Sequence, residues 1–148
     1  MEDLNLGCPQ TKAKEGHYGG YLILSKTDWP LLEKIVGLLA RELSIPVHVK
    51  LRLCSSRDLT PVLALQLAKQ GASVVTLHAR HVSARRRRKG PADLDAVKQL
   101  VQFLNRDDVC TRVITNGNVR NFQDVIRNID STGASGAMVG EALLINPR

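Results

Sequence analysis

Val74-Val75-Thr76-Leu77-His78-Ala79-Arg80 is the stretch on which the fold turns. A short apolar, largely β-branched run ends abruptly on a histidine and an arginine two residues apart. β-Branched residues favour strands, and residues two apart on a strand point to the same side. Three other runs end in a similar way. Leu4-Asn5-Leu6 leads into Gly7-Cys8-Pro9-Gln10, Val47-His48-Val49 into Lys50-Leu51-Arg52, and Val113-Ile114-Thr115 into Asn116-Gly117-Asn118. Polar and ionisable residues at the C-terminal ends of successive strands are how a parallel α/β barrel assembles an active site.

Helical patterns fill the gaps. Leu31, Leu32, Ile35, Val36, Leu38 and Leu39 form a stripe ending near Leu43, with Asp28 as the expected N-cap and Pro30 where the helix begins. Leu59 to Gln70 reads as a second helix, opened by Thr60-Pro61 and closed by Gly71. Asp93 to Leu104 is a third, with Leu94, Val97, Leu100 and Val101 on one face, and Asn121 to Ile129 is a fourth, ended by Thr132-Gly133. Strands are expected over 3–6, 47–53, 73–78, 109–115 and 137–139. Residues 7–20 and 79–91 read as loops. Strands alternating with helices demand a parallel sheet with helical crossovers.

Two parallel folds compete. A doubly-wound sheet would carry G-x-G-x-x-G after its first strand, and neither that fingerprint nor a P-loop occurs. A (β/α)8 TIM barrel is expected instead. A complete one needs about 250 residues, so this chain of 148 is expected to be one partial barrel domain, covering about strands 3 to 8.

Composition narrows the function. Aromatic residues make up only 3%, which weighs against RNA binders that stack bases on Phe and Tyr. Twenty-one basic residues against 14 acidic give a net charge of +7, which suits polyanions such as nucleic acid. Cys8, Cys54 and Cys110 are widely spaced and form neither a disulfide framework nor a metal signature. A reducing compartment is expected, with no metal. The N-terminus lacks a basic and an apolar signal region, and no apolar stretch is long enough to span a membrane.

Cys8 follows Gly7 and precedes Pro9 at a strand end. A lone cysteine is commonly a small buried hydrophobe, but a Gly-Cys-Pro turn at a barrel mouth exposes the thiol, which could then donate a proton. Cys54 and Cys110 are expected to serve packing. Lys50 and Arg52 share one side of their strand, and His78 and Arg80 repeat the spacing. Such charges are solvated strand-end residues or, inside a barrel, groups that meet an electron-rich ligand. Asn116-Gly117-Asn118 is a turn or, with Gly140-Glu141, a phosphate-binding pair of loops after the last strands. Arg85-Arg86-Arg87-Arg88-Lys89 is a solvated or nuclear-localisation-like run, or a grip on an RNA backbone.

Together these motifs resemble the tRNA-dihydrouridine synthases. Asn5-Leu6-Gly7-Cys8-Pro9-Gln10 resembles the family's N-x-G-C-P, Lys50-Leu51-Arg52 its K-x-R, His78-Ala79-Arg80 its H-G-R with Ala79 for the usual glycine, Asn116-Gly117-Asn118 its N-G-N/D, and Val139-Gly140-Glu141-Ala142 its final strand. Gly16-His17-Tyr18-Gly19 is most similar to the eukaryotic branch acting on D-loop uridines 16 and 17. The resemblance implies FMN as cofactor, NADPH as reductant and tRNA as substrate. It implies Cys8 as the acid that protonates uracil C5. Lys50, His78, Asn116, Gly117, Asn118, Gly140 and Glu141 would bind FMN. Asn5, Arg52 and Arg80, with Arg85, Arg86, Arg87 and Arg88, would bind the RNA. It implies a cytoplasmic location, with a nuclear one also compatible with the basic run. It also implies that the first barrel strands and a C-terminal helical tRNA-binding domain lie outside this chain. A non-catalytic RNA-binding remnant and another FMN-dependent barrel oxidoreductase are the alternatives.

Overall fold

In the computed structural model, residues 1–83, 90–107 and 109–145 are described. The strands are β1 (Glu2–Leu6), β2 (Val47–Leu53), β3 (Ala72–His81), β4 (Arg112–Asn116) and β5 (Gly136–Met138). The helices are α1 (Thr11–Glu15), α2 (Trp29–Glu42), α3 (Leu59–Lys69), α4 (Leu94–Arg106), α5 (Phe122–Thr132) and α6 (Glu141–Ile145). All neighbouring strands are parallel, and their order is β1-β2-β3-β4-β5. A doubly-wound sheet reverses its order at a switch point; here each strand lies beside the next, as in a barrel. The described strands fill five of a barrel's eight positions, and the sheet remains open.

Helices α2, α3, α4 and α5 pack in that order against one another. Their apolar stripes meet one face of the sheet, where Val47, Val49, Leu51, Leu53, Val75, Leu77 and Ala79 join Leu32, Val36, Leu63, Leu67, Val97 and Leu100 in one core. The opposite face carries His48, Lys50 and Arg52 on β2 and Thr76, His78 and Arg80 on β3. The strands therefore alternate between an apolar face and a polar one.

Several boundaries differ from the sequence expectation. α1 occupies part of the expected 7–20 loop. It is one short turn-rich element with only Ala13 buried, too short for an apolar stripe to show. β4 starts at Arg112 rather than 109, and β3 reaches His81. Asp28 precedes α2 but makes no capping hydrogen bond; its carboxylate is taken by His17, 3.1 Å away. Cys54 is buried as expected, whereas Cys110 is exposed, because β4 begins two residues beyond it.

The α3–β3 turn depends on Gly71. Its φ is +105°, and a Cβ there would lie 2.6 Å from Cβ of Ala40. Gly71→Ala combines a disfavoured backbone with a collision, so it should lower unfolding stability by about 1–3 kcal/mol. Urea denaturation checks this; an unchanged midpoint would contradict the close approach.

Candidate active site

Parallel register arranges the polar face in levels. Asp3, His48, Val74 and Arg112 are aligned across β1 to β4 at the bottom. Asn5, Lys50, Thr76, Ile114 and Gly136 are aligned one level up. Arg52, His78, Asn116 and Met138 are aligned next. The K-x-R and H-A-R pairs are thus offset: His78 stands opposite Arg52, not Lys50. Above that level the β2–β3 register breaks, since Arg52 pairs with His78 but Leu53 with His81. The irregularity lifts Arg80 above the ladder.

A cavity of about 1000 Å³ opens at this end. Arg52, His78, Arg80, Asn116, Gly117, Asn118, Gly140 and Glu141 all line it. Asn5 and Cys8 flank Gly7, and Lys50 of β2 reaches toward it. The Asn5 side-chain oxygen accepts from Gly7 N at 3.0 Å. Arg52 Nε donates to Gly7 O at 2.8 Å. A Cβ on Gly7 would lie 3.7 Å from Lys50 Nζ. Pro9 and Gln10 continue from Cys8 onto the cavity wall. Arg85, Arg86, Arg87 and Arg88 lie outside the described residues, although the strand end from which they follow is at this mouth.

The Cys8 turn is braced by backbone. Gly20 N donates to Cys8 O at 3.0 Å, and Tyr21 Oη donates to Pro9 O at 3.3 Å. Gly19 has φ of +61°, and a Cβ on it would lie 2.9 Å from Cβ of Cys8.

Three cations converge with one imidazole. Arg80 Nη1 lies 3.0 Å from His78 Nε2. A guanidinium can only donate, so Nε2 accepts and the proton resides on Nδ1. Burial, followed by Arg52, Lys50 and Arg80, pushes the His78 pKa down to about 3. The ring is neutral at pH 7. Arg52 is held below its ordinary value by burial and then by Arg80, with Cys8 opposing. Lys50 is lowered by burial and then by Arg52, with Asp3 opposing. Half-buried cations crowded together are costly unless an anionic or electron-rich partner meets them.

The two glycine turns differ. Gly117 has φ of +114°, and a Cβ there would lie 2.8 Å from Ala92 and 3.4 Å from His78. A Cβ on Gly140 meets nothing within 4 Å, so its backbone is open to the cavity. Asn118 is engaged structurally: its amide accepts from Ala92 N at 2.7 Å and donates to Ala92 O at 2.9 Å. Asn116 Nδ2 donates to Met138 O at 2.7 Å, joining β4 to β5. Sequence reasoning missed Asn128, whose Nδ2 donates to Gly117 O at 2.9 Å. It also missed Asp124, which accepts from Arg120 N at 2.9 Å and pairs with Arg127. Both line the cavity from α5. Their spacing of four, just after the Asn-Gly-Asn turn, is the only sequence signal for them.

The chain matches the family model described as dihydrouridine synthase (Dus) over residues 2–148. It belongs to the dihydrouridine synthase family. Among curated relatives, a mouse tRNA-dihydrouridine(16/17) synthase-like protein of the NAD(P)(+) type is 39% identical over 145 residues, covering 98% of this chain and 29% of the mouse protein. A Schizosaccharomyces pombe tRNA-dihydrouridine(16/17) synthase is 38% identical over 146 residues, covering 99% of this chain and 35% of that protein. The Saccharomyces cerevisiae synthase is 32% identical over 145 residues, covering 98% of this chain and 33% of the yeast protein. The chain thus spans about a third of these relatives. Among solved structures, a 2,3-dimethylmalate lyase of the PEP mutase/isocitrate lyase superfamily superposes with a TM-score of 0.63 at 13% identity, over 93% of this chain and 49% of that one. That likeness concerns the fold alone.

His78 gives this dihydrouridine synthase chain a pH signature. Its folded pKa of about 3 lies below the ordinary histidine value of 6.5, so below pH 6.5 the unfolded chain binds a proton that the folded chain does not. Its contribution to stability is complete above pH 6.5 and is lost as pH falls toward 3. The denaturation midpoint should fall more steeply from pH 7 to pH 5 in the unaltered chain than in His78→Asn. Parallel pH profiles would contradict a neutral, buried His78.

Proposed function

We propose that this chain forms the catalytic face of an enzyme that reduces uridine to 5,6-dihydrouridine in the D-loop of tRNA. NADPH is the reductant: a hydride is added at C6 of uracil and a proton at C5, giving dihydrouridine and NADP⁺. The observation that carries this reading is the Gly7-Cys8-Pro9 turn standing beside a cavity lined by Arg52, His78 and Arg80. Names of relatives that include tRNA-dihydrouridine(16/17) synthase support it.

The residues present fit FMN. The cavity has space for a flavin mononucleotide, the cation cluster calls for an electron-rich partner, and the open backbone at Gly140 with the strained Gly117 turn offers amides to a phosphate. Lys50 and His78 would hold the ring system, and Asn116, Gly117, Asn118, Gly140 and Glu141 the phosphate end. FMN, when bound, supplies the hydride that reaches C6.

The chain's own residues supply the remaining work. Cys8 gives its thiol proton to C5 and is reprotonated from solvent. The Asn5 oxygen is occupied by Gly7 N, so its NH₂ group is left to donate to a uracil carbonyl. Arg80, tied to His78 and to Gly90 O at 3.2 Å, aims its remaining donors at the base. The target uridine must leave its stack to reach Cys8, and loop bases pay little for this. The arginine run after Arg80 meets phosphates without reading sequence. Such chemistry suits a cytoplasmic or nuclear location, where tRNA precursors are found.

Cys8→Ala in the FMN-loaded full-length protein should reduce uridine turnover by about 10²–10⁴-fold. FMN reduction by NADPH should remain near normal. Loss of both steps would refute the acid role. Neutralising Arg85 to Arg88 should raise the tRNA KM and flatten its salt dependence. Unchanged kinetics would remove that run from the RNA interface. A protein that binds tRNA but takes up no FMN would favour the RNA-binding remnant instead.

A further inference from the structure

Arg80 is held on several sides at the cavity rim. Its Nε donates to Gly90 O at 3.2 Å, its Nη1 to His78 Nε2 at 3.0 Å, and its Nη2 to Asn118 Oδ1 at 3.4 Å. Each terminal nitrogen keeps a second N–H. Asn118 does more than touch Arg80. Its Oδ1 accepts from Ala92 N at 2.7 Å, and its Nδ2 donates to Ala92 O at 2.9 Å. A side-chain amide carries acceptor and donor side by side, so Asn118 pairs with Ala92 as a neighbouring strand would.

The paired segment is fixed at its far end too. Asp93 N donates to Ala79 O at 2.8 Å, and Asp93 Oδ1 caps α4 through Ala96 N at 3.0 Å. Residues 90–93 are thereby strapped across the end of β3, with Ala92 buried. The strap carries Gly90 O to Arg80, so Asn118 reaches the guanidinium twice, once directly and once through the strap. The backbone is arranged to allow this. Gly117 and Asn118 have φ of +114° and +58°, a left-handed pair that glycine and asparagine tolerate best. Asn128 Nδ2 holds Gly117 O from α5 at 2.9 Å. Strained backbone persists where its surroundings over-determine it, and here Ala92 and Asn128 do so from opposite sides. The Asn118 side chain is thus committed, and any bond of this turn to a phosphate falls to the main chain.

We propose that Asn118 is a positioning residue for Arg80. Its amide pins the 90–93 strap and one edge of the guanidinium, so that Arg80 fixes the His78 tautomer and offers its free N–H groups from a set place. A long side chain gives up much rotamer freedom when it is ordered, and the clamp meets that cost before any ligand arrives. That the free N–H groups meet a uracil rests on the function proposed above; the clamp itself does not. An amide serving only to lead the chain into α4 would leave Arg80 and His78 indifferent to its loss.

The test replaces Asn118 with glycine, which keeps the left-handed backbone and removes the amide. In the ¹⁵N-labelled chain, ring shifts report the His78 tautomer and hydrogen exchange reports the Ala92 N–H. The unaltered chain should show His78 hydrogen on Nδ1 at pH 7. In Asn118→Gly, exchange at Ala92 should rise about tenfold, the effect of losing one hydrogen bond. His78 hydrogen should move toward Nε2, which has lost its fixed donor. Asn118→Asp, which still accepts from Ala92 N and Arg80, should restore the Nδ1 form. If Asn118→Gly does not fold, Asn118→Ser, too short to span both atoms of Ala92, takes its place. Exchange that does not rise, or a His78 tautomer that does not move, would overturn the proposal. Uridine turnover by the FMN-loaded full-length protein adds a double-mutant cycle. Asn118→Gly should lower kcat/KM for tRNA about tenfold beside Arg80 and cost nothing further in the Arg80→Ala background. Additive losses would overturn the route through Arg80. A tautomer that moves in Asn118→Gly, where the unaltered protein reduces no uridine, would keep the clamp and remove the uridine reading.

Discussion

Strand register is the constraint on which everything else rests. The Val, Leu and Ala side chains of β2 and β3 that face the helices are almost wholly buried, and strand side chains alternate with a period of two. A slip by one residue would therefore drive Lys50, Arg52, His78 and Arg80 into the helix layer and turn Val49 and Leu77 toward the cavity. Burial of fully enclosed Val or Leu side chains is worth about 1.5–3 kcal/mol each, and burying an unpaired cation costs several. Both effects oppose the slip. The apolar face thus dictates the position of the polar one, although the two share no contacts that would be called catalytic.

The polar face gathers the positive charges of Lys50, Arg52 and Arg80, with Asp3 opposing at Lys50. Lys50, Arg52 and Arg80 each feel another cation or its buried surroundings, and His78 responds by giving up its proton. A neutral imidazole among guanidinium groups is a hydrogen-bonding element rather than a fourth charge. Its Nε2 is committed to Arg80, and its Nδ1–H is the donor it can offer to a ligand. The dihydrouridine synthase family membership and the electrostatics meet at this point: the mouth favours an electron-rich occupant, and beside Lys50, Arg52 and Arg80 the His78 ring is uncharged.

Much of this was legible in the sequence because apolar runs and helical stripes are local signals. The five strands and four crossover helices all occur, with boundaries displaced by a few residues. The residues at the cavity were found by their place at strand ends. What could not be read is relational. Nothing in Lys50-Leu51-Arg52 and His78-Ala79-Arg80 reveals that the pairs are offset by one level, since register is decided by packing between strands. His48 was passed over because it sits among valines, where an isolated imidazole looks like a strand residue; only its alignment with Asp3 and its reach to Thr76 give it company. Cys110 looked like a packing residue until the true start of β4 put it outside the core. The bonds from the Asn118 amide to the backbone of Ala92 are likewise invisible in the sequence.

The bracing of the Cys8 turn bears on how such a protein can change over time. The turn that carries the thiol is held by the main chain of Gly19 and Gly20, together with a tyrosine hydroxyl resting on a carbonyl. Lys12, Lys14 and Tyr18, a few residues away, are exposed. Mutations in that outward surface leave the anchoring main chain in place. A lineage could therefore change the charge and shape of that surface while the Cys8 sulfur stays put, provided the two glycines are inherited unchanged.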